Sequence, residues 1–427
     1  MIKHITDLQT FKNKALQWAS SFNVFCYLDS NNFTDPYSKF DTLIAVDAKD
    51  EVVSLAGNAY SKLEQFRKSH PGWVTGFLGY DLKNETEQLS SHNNDHLQFP
   101  DLYFFAPQYL MLIKGNNVEI IADDPEFVLH CIETQKSHTP IKMPPVNVEQ
   151  RFSKAAYLNT VEKIKNHINR GDIYVTNFCQ EFFAENAIID PLAVFSRLNE
   201  ISPNPFAAFF KWHHNYILCA TPERFLAKRG QKLISQPIKG TAKRGKDDID
   251  DELIKTRLRE TVKELQENVM IVDLVRNDLT KSAKQGTVQT EELFGIYSFK
   301  LIHQMISTVT CQLDENTSAI QSIKNSFPMG SMTGAPKVSA MQLMEQYEQS
   351  RRGVYSGAIG YFSPDDDFDF NVVIRSLLYN QQNKYLSFQA GSAITYHADA
   401  ESEYEECLLK VQGIMEALGQ LKSSLPS

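Results

Sequence analysis

The amino-acid sequence predicts an α+β fold built on large, mostly antiparallel sheets. Three observations carry that expectation. Apolar runs of strand length, Phe25–Leu28, Thr42–Val46, Trp73–Tyr80 and Tyr109–Ile113, follow one another through the first third of the chain. Gly115-Asn116-Asn117 between Tyr109–Ile113 and Val118–Ile121 is a hairpin signal. From residue 151 to 420 strands, turns and helices alternate without a regular strand–helix repeat, which argues against a doubly wound nucleotide fold.

Residues 1–136 read as an N-terminal subdomain in which the polar stretch Lys83–His96 is a surface loop. Residues 137–150 read as a connector, with Pro140, Pro144 and Pro145 and little apolar pattern. Residues 151–420 form the larger part, interwoven with the first in one unit. There Ser153 is placed to cap a helix whose apolar positions Tyr157, Val161, Ile164 and Ile168 follow the helical period, and Gly171 is placed to end it. Lys384–Gln389 reads as a strand, followed by Ala390-Gly391-Ser392-Ala393.

A net charge of −9 over 427 residues argues against a nucleic-acid binder but leaves small anionic ligands open, because a local pocket can be basic. The six cysteines form no Cys-x-x-Cys pair, so neither a zinc site nor a disulfide framework is expected. The first residues lack a signal-peptide pattern, and no run approaches the roughly 20 apolar residues of a membrane helix. A cytoplasmic protein is the expectation. Gly330-Ser331-Met332-Thr333-Gly334-Ala335-Pro336-Lys337 imitates a phosphate loop, but its glycines are misspaced and Pro336 stands where the second glycine should precede lysine.

Three groups of residues suggest chemistry. Glu264 and Glu267, and again Glu403 and Glu406, lie three apart, so on helices each couple shares a face. Two such couples aimed at one point suit a magnesium ion, although a solvated acidic face has the same spacing. Lys239 stands in Pro237-Ile238-Lys239-Gly240-Thr241, where proline restricts the chain and glycine frees it. A lysine held so is a candidate nucleophile. On spacing alone it reads more as a turn lysine beside Lys243, Arg244 and Lys246 than as a nucleophile. The backbone N–H groups around Gly391 form the third group, a weak carboxylate-binding signal.

Taken together, these segments resemble the chorismate-utilising enzymes related to anthranilate synthase component I, and within them the aminodeoxychorismate branch. Matching stretches include Thr221-Pro222-Glu223-Arg224-Phe225, the pentapeptide around Lys239, Glu267–Asp278, Phe327–Lys337, Arg352–Gly357, Asn371–Arg375 and Glu403–Lys410. Leu28-Asp29-Ser30, Pro36–Asp41 and Gly79-Tyr80-Asp81-Leu82 extend the match toward the N-terminus. The resemblance implies sheets packed face to face and flanked by helices. Relatives that make anthranilate carry alanine where Lys239 stands, and those that hydrate chorismate carry a lysine where this chain has Val175.

The implied activity is therefore amination of chorismate at C4, through a covalent adduct of Lys239 at C2 and with Glu223 as the acid. The resemblance further implies His303 near the ring, and Tyr355, Arg375, Lys410, Ser331, Thr241 and Gly391 as substrate contacts. Mg2+ would be held by Glu267 and Glu406 directly and by Glu264 and Glu403 through water. No cysteine stands in a nucleophile-elbow context, so a separate glutamine amidotransferase subunit is expected to supply ammonia. Ser30, Tyr37 and Ser38 match a region that holds tryptophan in relatives. This chain departs from the family at Gly391-Ser392-Ala393, where a glycine triplet is usual, which implies a tighter cavity. Val175 and Thr395 are further departures. The rivals are an anthranilate synthase and a homologue that binds chorismate without turning it over.

Overall fold

A computed structural model describes residues 1–136, 138–141, 143–300 and 302–420. Every strand pairing among them is antiparallel. The architecture is α+β, as expected.

Two long strands, Thr42–Ser54 and Leu102–Lys114, organise it. They pair along their whole length, from Thr42 opposite Ile113 to Ser54 opposite Leu102, with a bulge between Ala48 and Asp50. On its other edge Leu102–Lys114 takes Asn117–Ile121 at one end and Val74–Leu78 at the other. Each end leads into a different sheet. The first continues from Thr42–Ser54 through Val24–Asp29, Phe206–Trp212, Asn215–Thr221, Ser376–Asn380 and Tyr385–Ile394 to Val175–Ala184. The second runs from Val74–Leu78 through Ala358–Phe362, Phe368–Asn371, Arg224–Arg229 and Lys232–Gln236 to Ile302–Gln312.

Period-two alternation then divides the side chains between two cores. In Val24–Asp29, Val24 and Cys26 join one, while Phe25 and Tyr27 join the other. The first core lies between the sheets, where Phe77 meets Phe210 edge-on at 5.4 Å, and extends under the helices Val262–Thr280 and Ala319–Ser326. The second lies under Leu8–Ser20, Lys154–Arg170, Pro191–Ile201 and Ala400–Ala417.

Local chemistry explains the boundaries. Ser153 accepts the Ala156 N–H, and Gly171 ends that helix at φ +83°. Lys114 pairs with Asn117, leaving Gly115 and Asn116 as a two-residue turn with Gly115 at φ +53°.

Two expectations need correction. The polar stretch after Leu82 is not a plain surface loop, because it opens with the helix Lys83–Thr86, and Lys83 is buried with its ammonium bonded to Asn84 and Ser91. The strand assigned to Lys384–Gln389 runs on as Tyr385–Ile394, so Gly391-Ser392-Ala393 lies inside it. All six cysteines are free thiols. No helix among the described residues is long and apolar enough to cross a membrane.

Candidate active site

The chain changes sheet twice near one point. It leaves Asn215–Thr221 in the first sheet for Arg224–Arg229 in the second by way of Pro222-Glu223. It returns from Phe368–Asn371 to Ser376–Asn380 through residues 372–375. The Glu223 carbonyl accepts the Val372 N–H at 3.0 Å, so the two crossings are bonded to each other. Beside them opens a cavity of about 860 Å³.

Twelve of the expected residues line it: Glu223, Lys239, Thr241, Glu264, Glu267, Ser331, Tyr355, Arg375, Gly391, Glu403, Glu406 and Lys410. Lys239 and Thr241 come from the strand Ile238–Lys243, whose register against Ile302–Gln312 shifts between Ile238 and Thr241. Gly240 makes that shift at φ +101°, and a Cβ there would stand 3.2 Å from the Glu264 carboxylate. The helices Val262–Thr280 and Ala400–Ala417 each bring one glutamate couple.

Charge in the cavity is unevenly matched. Burial pushes the Glu223 carboxyl up to about 7, against the opposing pull of the Ser331 hydroxyl and the Lys239 ammonium. Arg375 sits at φ +52°, a conformation that non-glycine residues seldom adopt. Its Nη1 donates to the Lys410 carbonyl at 3.3 Å, and among the described residues it has no carboxylate partner within salt-bridge distance. Arg352 contrasts with it: a buried guanidinium bonded to both oxygens of Glu348 and to the Met332 and Asn177 carbonyls. Arg352 is spent on structure, and Arg375 is left facing the cavity. Ser331 Oγ is buried with Glu223 as its polar neighbour but makes no well-formed hydrogen bond.

The glutamates crowd one another. Glu264 and Glu403 are both raised above their ordinary range, by burial first and then by Glu267 and Glu406 respectively. Glu406 goes the other way, because Lys410, Lys239 and Lys263 outweigh its burial. A set of oxygen donors that raise one another's proton affinity fits a hard divalent cation. Among the described residues no three His, Cys, Asp or Glu side chains already converge as a metal cage. Ammonium groups neutralise the cluster instead: Lys410 lies 2.5 Å from Glu406, and Lys263 lies 3.4 Å from Glu403 and 3.9 Å from Glu267.

Gly391 is opposite Cys179 in the strand pair. The Cys179 N–H donates to Glu348, and the Gly391 carbonyl accepts from Lys410 at 2.8 Å, so this is a pair whose polar groups turn away from each other. The Gly391 N–H is therefore presented away from the neighbouring strand. A side chain at Gly391 would strike Cys179 Sγ at 2.5 Å. Ser392 points to the other face, its hydroxyl 3.2 Å from Tyr157, so of the two departures only Ala393 lines the cavity. Val175 borders Lys239, Glu267 and Met270 in a small crevice behind the cavity.

His303 is not brought to the cavity. Its ring is fully buried, with Nε2 donating to Asp251 at 2.8 Å and Nδ1 hydrogen-bonded with the Ser298 hydroxyl at 2.9 Å. Asp251 also accepts from Arg244 and the Gly245 N–H, so His303 clamps the start of the Asp248–Glu260 helix. Its neighbour Gln304 lines the cavity in its place, as do Asn177 and Lys263, none of which the sequence singled out. Ser30 and Ser38 line a separate cavity of about 60 Å³, room for about two waters. Tyr37 does not line it and bonds to Glu291 at 3.0 Å. Lys337 of the glycine-rich stretch is held by Asp278 at 2.6 Å.

Comparison with known proteins identifies the family. Residues 15–416 match the family described as chorismate binding enzyme. Aminodeoxychorismate synthase component 1 of Klebsiella aerogenes is 32% identical over 351 residues, 81% of this chain and 77% of that protein. The probable chloroplastic aminodeoxychorismate synthase of Oryza sativa subsp. japonica is 33% identical over 386 residues, 80% of this chain but only 43% of that longer protein. The crystal structure of anthranilate synthase component I from Streptococcus pneumoniae superposes with a TM-score of 0.79 at 23% identity, covering 90% of this chain and 93% of that one. The chain belongs to the chorismate binding enzymes.

Proposed function

We propose that this chain aminates chorismate at C4 with ammonia, giving 4-amino-4-deoxychorismate for para-aminobenzoate and folate synthesis. The observation that carries the reading is the shared cavity of Lys239, a buried Glu223 with its carboxyl raised to about 7, and the unpaired Arg375. Relatives of this chain named aminodeoxychorismate synthase component 1 support it.

In this reading Arg375 and Tyr355 hold a substrate carboxylate, with the Gly391 N–H and Ser331 completing the contact. Thr241 and Lys410 border the ring. The Lys239 amine adds at C2, the two ring double bonds shift, and the C4–O bond breaks. Glu223 gives its proton to the departing hydroxyl, which leaves as water. Ammonia then adds at C4, the double bonds return, and the C2–N bond to Lys239 breaks. One difficult displacement becomes two allylic steps. Glu267 and Glu406, with Glu264 and Glu403 through water, would hold Mg2+, which when bound neutralises the ring carboxylate. Val175 offers no base to activate water at C2, which disfavours hydration. A glutamine amidotransferase subunit is the proposed source of ammonia.

The test incubates the purified chain with chorismate, Mg2+ and ammonium at mildly alkaline pH. The expected product is 4-amino-4-deoxychorismate, with a chorismate-derived mass increment on Lys239 in quenched samples. Anthranilate fluorescence without an added lyase would instead identify an anthranilate synthase. Unchanged 4-amination by Lys239→Ala would remove the covalent step.

A further inference from the structure

Resting on the proposed cation site, we infer that Lys263 occupies that site's charge position when no metal is bound, and must be displaced for a divalent cation to enter. Among the described residues it is the one ammonium within salt-bridge distance of both glutamate couples. Its ammonium lies 3.9 Å from Glu267 on its own helix and 3.4 Å from Glu403 on the facing one.

The other ammonium in the cluster is built to stay. Lys410 contacts Glu406 at 2.5 Å and donates to the Gly391 carbonyl at 2.8 Å, which ties it to a strand. Lys263 has no backbone anchor among the described residues, its two contacts are long, and its side chain is 52% exposed. A flexible four-carbon stem on the first turn of a helix can swing outward without disturbing the fold.

Charge requires the swing. Magnesium oxygen bonds are about 2.0–2.1 Å, so a metal shared by Glu267 and the facing couple would stand within a few ångströms of the present ammonium. An ammonium and a divalent cation cannot occupy the same position between Glu267 and Glu403 without strong repulsion. The ammonium thus does two things. It keeps four carboxylates from splaying while the metal is absent, and it lowers metal affinity by competing for them. Release of Lys263 also changes the cavity wall it lines, so cation loading and the shape of the substrate site are coupled.

The test is divalent-cation binding by the chelator-stripped full chain without substrate, using Mn2+ followed by electron paramagnetic resonance and Mg2+ by calorimetry. Lys263→Met is expected to bind Mn2+ about tenfold more tightly than wild type, and Glu267→Gln to bind it far more weakly. In intact wild type, reductive methylation of Lys263 read by mass spectrometry should quicken when Mg2+ is added, a readout that needs no variant to fold. Unchanged or weaker Mn2+ affinity in a folded Lys263→Met, or a methylation rate indifferent to Mg2+, overturns the displacement. Absence of any binding that Glu267→Gln abolishes would instead overturn the cation site itself.

Discussion

The carbonyl of Glu223 accepts the Val372 N–H at 3.0 Å, joining the two stretches where the chain passes between sheets. That bond fixes the backbone on either side of the cavity, so Glu223 and Arg375 approach it from rigid crossings rather than loose loops.

Glu223→Gln should therefore keep the geometry and lose the proton. The expected fall in kcat is about 10²–10⁴-fold, the usual yield of a positioned acid. Wild-type kcat should decline as pH rises through about 7, where the carboxyl ionises, and the variant should lack that limb. The same shift has a stability signature. The folded-state value lies above the ordinary 4.5, so the contribution of Glu223 to stability is fully present below about 4.5 and is lost as pH rises through about 7. Urea titrations of wild type and variant across that window check the sign.

Arg375→Met should separate folding from binding. Removing a half-buried guanidinium that has no carboxylate partner among the described residues is expected to leave the melting temperature unchanged or raise it. Chorismate KM should rise by at least about tenfold, because a charged, forked contact is lost. A lowered melting temperature with normal KM would assign the residue to structure.

Gly240→Ala should cost both stability and turnover. A positive φ disfavours the new side chain, and its Cβ would stand 3.1 Å from Met305 and 3.2 Å from Glu264. A loss of about 1–3 kcal/mol is expected in denaturant melts, with kcat reduced because Lys239 is the adjoining residue.

His303→Ala is expected to act through stability. It removes a fully buried ring and one of the bonds holding Asp251, for a cost of about 2–4 kcal/mol. Limited proteolysis should cut faster near residues 243–251, while kcat at saturating substrate stays within about tenfold of wild type. A fall of about 10³-fold in kcat at an unchanged melting temperature would restore a role in chemistry.

Much of this site was legible before the structure. Ser153 and Gly171 bounded a helix by capping chemistry alone, and the two glutamate couples sat on helices as their spacing implied. What failed was orientation. His303 and Gln304 are neighbours in a strand and face opposite ways, and which of the two meets the cavity depends on the pairing with the distant strand Ile238–Lys243. Gly391 sits within a strand whose second edge, among the described residues, is unpaired beyond Phe388, because its hairpin partner Ser376–Asn380 begins only after the crossing at residues 372–375. Lys263 was not singled out by the sequence, because the facing Glu403 is 140 residues away. Arg352 and Arg375 are alike in composition, and only their surroundings reveal which is already neutralised.

The shared strands Thr42–Ser54 and Leu102–Lys114 bear on how the chain can be cut. A protein begun at residue 151 would lose the neighbours of both Phe206–Trp212 and Ala358–Phe362. Two rows of unsatisfied amides and carbonyls would be bared at once, each a template for intermolecular pairing. Such a fragment should form oligomers or precipitate, and co-expression with residues 1–136 as a separate polypeptide should return it to solution.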